Sequence, residues 1–207
     1  LTAIGEPLEA LAQFEIAKRH NPFDFNWVPW VRGIAYFTAH RYDDAIASLD
    51  ARVIERCAPF ADIIELVDTI PGVARRTAEA LVAECGIDMT RFPTAGHLAS
   101  WAGICPGNNA SGGKRRSGHT RPGSRWLRQA LTEAAWAVAR SKGTYFSSHH
   151  AQIAGRRGKT KALGATRHDL LVAYYHVVRD QVPFEDLGAD WLARRYSVEH
   201  RTARLVR

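Results

Sequence analysis

The residue best placed for chemistry in this sequence is a hydroxyl among cations, Ser111. The stretch from Ala110 to Arg128 reads ASGGKRRSGHTRPGSRWLR, with six Lys/Arg, four glycines, one proline and no acidic side chain. Like charges so dense repel one another, and Gly and Pro interrupt a plain helix. A small hydroxyl in such a loop can hold a phosphodiester. The competing reading is a solvated basic loop that touches nothing. Lys114, Arg115, Arg116, Arg121, Arg125 and Arg128 are the candidate phosphate contacts here. Ser117 and Ser124 are rival hydroxyls that rank behind Ser111.

A second basic bend, RRGKTK at 156–161, contributes Arg156, Arg157, Lys159 and Lys161 where one helix ends and another begins. Two patches in one small domain favour phosphate contact over solvated turns. A third candidate is the turn in IPGVARRTAEALVAECG. A helix, a tight Pro71-Gly72 turn and a helix from about Arg75 to Cys85 resemble a helix-hairpin-helix element. Such an element offers free backbone N–H groups to a phosphate and reads no sequence. Gly72, Arg75 and Arg76 are its candidate contacts. Its usual second glycine is Ala74 here, which would cost about 1 kcal/mol or more if that residue needed a positive φ. An ordinary helix corner is the alternative.

Helices must carry these groups. RWLRQALTEAAWAVAR, residues 125–140, has apolar residues at helical spacing, from Trp126 and Leu127 to Val138. Two further helices flank the second basic bend, and His97, Leu98 and Trp101 share a helical spacing. No alternating strand pattern competes, so the expected fold class is all-α, with loops at 103–124 and 155–161. Before residue 50 the pattern is one of paired amphipathic helices. Ala10 and Ala45, and likewise Phe14 and Leu49, are 35 residues apart. Residues 1–49 thus resemble a tetratricopeptide-repeat fragment, whose period is about 34. Only about one and a half repeats are present; the alternatives are a docking groove and a remnant. The expected division is 1–49 and 50–207.

Charge follows that division. Residues 1–50 hold four basic and seven acidic side chains, whereas residues 51–207 hold 24 and 14, a net +10 suited to a polyanion. No run of about 18 apolar residues occurs and the start lacks a basic region before an apolar core, so neither a transmembrane helix nor a signal peptide is expected. Cys57, Cys85 and Cys105 are odd in number and far apart, with no metal-ligand spacing, which points to a reducing cytoplasm. Asp62, Glu65, Asp68 and Glu84 read as solvated faces or caps. His149, His150, His168 and His176 show no converging carboxylate pattern, so no metal site is expected. The chain opens on Leu1, and Met89 is its one methionine, which reads as a fragment.

The ordered blocks TIPGV, RFPTAGHLASWAGICPGNNASGGKRRSG, RWLRQAL, EAAWAVAR, RRGK and HDLLVAYYHVVRD resemble the C-terminal domain of transposases of the IS-one-ten and IS-one-sixteen type of insertion sequence. The likeness runs over about residues 50–192. It implies serine recombinase chemistry guided by a structured bridge RNA, on DNA, in a bacterial, cytoplasmic and nucleoid-associated homo-oligomer. It also implies a RuvC-like nuclease domain with an Asp-Glu-Asp-Asp set. Tetratricopeptide-like sequence stands where that domain is expected, so Mg²⁺ is expected only with the missing part. By the same resemblance Ser111, after the PGN block, is the nucleophile. A serine is a weak nucleophile until a base, metal or cation field activates it, and Lys114, Arg115 and Arg116 could supply the field. The expectation is a truncated or fused transposase, inactive alone. The alternatives are a non-catalytic nucleic-acid-binding module and a protein-interaction adaptor.

Overall fold

A computed structural model describes residues 7–20, 28–105, 109–117 and 120–191. The described chain is helical apart from one short hairpin, so the all-α class holds. It divides into two compact units, Leu1–Pro59 and Phe60–Arg207. The expected boundary at 49/50 falls inside a continuous helix, because Tyr42–Cys57 is uninterrupted by any Gly or Pro.

The first unit holds α1 (Pro7–His20), α2 (Val28–Thr38) and α3 (Tyr42–Cys57). Small residues set the helix approach. Ala10, Ala35 and Ala45 are buried, and Leu49 lies against the bare Cα of Gly33. The side chain of Phe14 and the Pro22 stop lie outside the described residues. Trp30, Phe37, Ile46 and Ile54 are exposed, so this unit leaves much of its apolar surface uncovered.

The second unit is built on α9 (Lys159–Asp180), the longest helix. Leu170, Leu171 and Tyr174 on it are fully buried. Around it pack α4 (Ala61–Asp68), α6 (Ala95–Trp101), α7 (Arg125–Arg140) and α8 (Tyr145–Arg157), while α5 (Arg75–Cys85) packs on α4 and α7. The α7 stripe explains its burial. Leu127, Leu131, Ala134, Ala135 and Val138 recur every three or four residues and face inward, whereas Trp126 lies half outside. Tyr174 and Tyr175 are buried with their hydroxyls donating to the carbonyls of Gly86 and Phe92, which removes the cost of an unpaired polar atom.

A 3-10 turn at Ala58–Phe60 separates α3 from α4, with Pro59 in the break. Two local expectations differ from the structure. The basic bend at 155–161 is not a loop: α8 reaches Arg157, α9 starts at Lys159, and Gly158 alone, at φ 86°, serves both caps. Within 103–124, β1 (Asn109–Ser111) pairs antiparallel with β2 (Lys114–Ser117). The Gly112-Gly113 pair, at φ 57° and 74°, makes the two-residue turn that suits strand twist. After α9 the chain lies back over the domain to Trp191. Phe184 stacks on Phe146, and its N–H donates to the Thr69 hydroxyl. The tail beyond residue 191 lies outside the described residues.

Candidate nucleic-acid interface

Ser111 closes β1, and its backbone register partner is Lys114 at the start of β2. Arg115 and Arg116 follow in β2. The hairpin thus pairs the backbone of Ser111 with that of Lys114 rather than leaving the two on an open coil. Lys114 is exposed. Ser124 is otherwise committed: its hydroxyl donates to Glu84 Oε2 at 2.6 Å and accepts from the Leu127 N–H at 3.3 Å, capping α7. The rival that it presented is therefore a structural group.

The return of the loop is fastened by backbone contact. A Cβ on Gly123 would lie 2.2 Å from the Ala102 carbonyl oxygen, and one on Gly103 would lie 2.6 Å from that of Arg121. Only glycine permits so close an approach. Arg128 reaches across from α7 and donates to the carbonyls of Arg121, at 3.0 Å, and Gly103, at 3.4 Å. Arg128 is thus first a clamp on this loop. Arg125 lies over the ring of Trp126, 4.4 Å from its centroid, and Arg121 is exposed.

The helical corner behaves differently from its sequence expectation. Gly72 has φ 84° and turns its Cα into the domain, where a Cβ would meet Val138 Cγ2 at 2.5 Å and the Ala134 carbonyl at 2.8 Å. Packing against α7 accounts for this glycine without a ligand. Ala74 has an ordinary extended backbone, φ −103°, so it carries no positive-φ cost; it offers α5 no side-chain cap. Arg75 and Arg76 both pair with Glu79, at 3.1 and 3.4 Å, and that carboxylate is buried. Much of their charge is therefore answered within the domain. By contrast Arg156, Arg157, Lys159 and Lys161 are exposed and make no ion pair among the described residues. Two of them stand on the first turn of α9, where the helix dipole disfavours cations and an anion would relieve them.

Among the carboxylates, Asp62, Glu65 and Asp68 are exposed on α4, while Glu84 accepts from Ser124. His149 does have a converging carboxylate, contrary to expectation. Its Nδ1 lies 2.7 Å from Asp169 Oδ2 across α8 and α9, and its ring stacks on Tyr145. The pairing joins residues 20 apart in the sequence, which no local spacing reveals. No group of three or more His, Cys, Asp or Glu converges among the described residues. The described carboxylates therefore form no cluster that would hold Mg²⁺ by protein side chains alone. Burial pushes the Cys85 thiol up to about 12, with Glu84 adding to the effect, so it stays a packed thiol rather than a nucleophile.

Sequence reasoning missed Arg167. It stands on α9 beside the clamp residue Arg128, in a cleft whose wall includes Pro122 and Gly123 of the basic loop. A lone Arg within an amphipathic helix carries no signal of such a position.

The helical unit carries a serine-bearing hairpin and, at the α8–α9 corner, cations with no ion pair among the described residues. Residues 64–151, which hold the hairpin and α7, match the model of the Transposase IS116/IS110/IS902 family. An insertion element IS110 uncharacterized 43.6 kDa protein of Streptomyces coelicolor is 32% identical over 121 residues, 58% of this chain and 30% of that protein. Pilin gene-inverting proteins of Moraxella lacunata and Moraxella bovis are each 31% identical over 151 residues, 70% of this chain and 46% of theirs. The chain therefore spans less than half the length of these curated relatives. No described helix is long and apolar enough to cross a membrane.

Proposed function

We propose that this chain supplies the nucleic-acid-gripping, serine-bearing part of a DNA strand-transfer enzyme. The observation that carries the reading is the Ser111 hairpin: a hydroxyl-bearing residue in register with Lys114, fastened to a domain of transposase type. Lys114, Arg115, Arg116, Arg121, Arg125 and the 156–161 corner would hold backbone phosphates, of DNA and of a structured RNA. Gly72, Arg75 and Arg76 would lie at the margin. In the reaction, Ser111 Oγ loses its proton and attacks phosphorus. A serine–phosphate bond forms, a deoxyribose hydroxyl leaves, and a second hydroxyl later reverses the attack. The phosphoserine conserves the bond energy, and cations stabilise the charge on the nonbridging oxygens. A RuvC-like domain would bring the base and any Mg²⁺; the present carboxylates support no step through a metal. The tetratricopeptide-like first unit would be a remnant of another protein, and a homo-oligomer would pair the strands.

The test is binding of a 30-base-pair duplex by the full chain across salt. With about six phosphates engaged, affinity falls by about 10³ from 50 to 200 mM. Ser111→Ala leaves that binding nearly intact. It also removes any protein–DNA adduct formed when a RuvC-like domain is supplied. Salt-independent affinity refutes the grip, and an adduct trapped on the alanine variant refutes the nucleophile.

A further inference from the structure

We propose that Arg167 and Arg128 form a phosphate site in the cleft between α7 and α9, filled by one phosphodiester of the gripped nucleic acid. The inference rests on the nucleic-acid reading above and names a contact which that reading does not contain.

The cleft is lined by Arg125, Arg128, Thr132, Glu133 and Arg167, with the 122–123 loop at its edge. Arg128 has reason enough to be there, since it holds two loop carbonyls. Arg167 does not. Its Nη1 donates to the Thr132 hydroxyl at 3.3 Å, which in turn donates to the Arg128 carbonyl at 2.6 Å, and this is the one hydrogen bond of the Arg167 side chain among the described residues. Arg167 Nε is buried and has no hydrogen-bond partner among the described residues. Glu133, the carboxylate in this cleft, accepts from Gln129 at 3.0 Å and makes no ion pair with either guanidinium. Burial first, and then the charge of Arg128, weakens the hold of Arg167 on its proton. Two guanidiniums therefore share a part-buried cleft in which, among the described residues, neither makes an ion pair.

A part-buried cation with no ion pair costs desolvation energy, and its unsatisfied buried N–H calls for a partner such as a ligand or an ion. The missing partner must be an anion with several acceptor oxygens, because a planar guanidinium offers donors in a fork that matches phosphate. The cleft opens beside the basic loop, so a strand whose phosphates run along that loop could place the next one here.

The experiment compares the full chain with Arg167→Gln and Arg167→Lys, using duplex DNA and duplex RNA in fluorescence anisotropy across salt. Melting in inorganic phosphate is measured alongside. The glutamine variant is expected to bind about tenfold more weakly at 100 mM salt, with a salt slope lower by about one. The lysine variant keeps the slope because it keeps the charge. Phosphate raises the melting temperature of the parent chain and not of the glutamine variant. Weakening with DNA alone assigns the phosphodiester to DNA, and with RNA alone to RNA. Unchanged affinity and slope in Arg167→Gln, with normal salt dependence in the parent, overturns this site and leaves the nucleic-acid reading standing. No salt-dependent binding by the parent, with phosphate still protecting only the parent, overturns the backbone ligand and that reading together. A glutamine variant that melts lower in phosphate-free buffer, with phosphate protection unchanged, shows Arg167 to be structural and overturns the proposal.

Discussion

Hydrogen-bond direction places a proton on one ring nitrogen of a buried histidine. Thr166 gives its one hydroxyl proton to the Ala162 carbonyl at 3.0 Å, so at 2.9 Å it must accept from His150 Nδ1. His150 is buried, and burial lowers its pKa from the ordinary value, which favours the neutral ring. The folded state therefore resists the proton that the unfolded chain accepts as pH falls below about 6.5. Stability contributed by neutral His150 is present above that pH and declines below it, levelling once the folded ring is also protonated. Urea unfolding at pH 7.5 and 5.5 should show a larger loss for the parent than for His150→Gln. Equal losses in both would rule out this ring as the acid-sensitive group. His149 shows how far the same residue type can differ one position on: it is part-exposed and carries Asp169.

At the scale of elements, one glycine sets how α5 and α7 meet. Gly72 joins the α4–α5 turn, and its Cα touches Val138 and the Ala134 carbonyl, 62 residues or more along the chain. A methyl group there adds a positive-φ cost of about 1–2 kcal/mol and an overpacking cost of about 1–3 kcal/mol. Gly72→Ala is expected to lower unfolding stability by about 2–5 kcal/mol with an unchanged denaturant slope. A loss below about 1 kcal/mol would mean that the turn stands off α7. The corner was legible as a helix, a turn and a helix, and α5 begins and ends at Arg75 and Cys85 as the pattern predicts. Which way its glycine faces was not legible, since that depends on the partner helix.

Charge is a property of the whole molecule, and it is divided between the units. Residues 60–207 hold 22 Lys/Arg against 13 Asp/Glu, whereas residues 1–59 hold six against eight. Exposed charges beyond about 10 Å are largely screened at 0.1 M salt. Removing residues 1–59 should therefore leave the affinity for duplex DNA within about threefold and the salt slope unchanged. Anisotropy on the shortened chain checks this; a slope that falls by two or more would mean that the first unit supplies phosphate contacts of its own.

The amino-acid sequence by itself determined the helical class and the bounds of α5 and α7, along with the concentration of cations after residue 110. These depend on local causes: apolar residues every three or four positions, a capping serine at 124, and glycines at 86 and 158. The hairpin was also written locally, in Gly112-Gly113, but the density of like charge around it masked the turn signal. The tertiary structure decided which cations remain unanswered. Arg75 and Arg76 are answered by Glu79, a neighbour on their own helix, whereas Arg167 makes no ion pair among the described residues and donates to Thr132 of another helix. Periodicity tells which face of a helix is buried; it does not tell which residue of a distant helix lies opposite. That depends on the rotation and crossing of packed helices, fixed by the fit of their side chains.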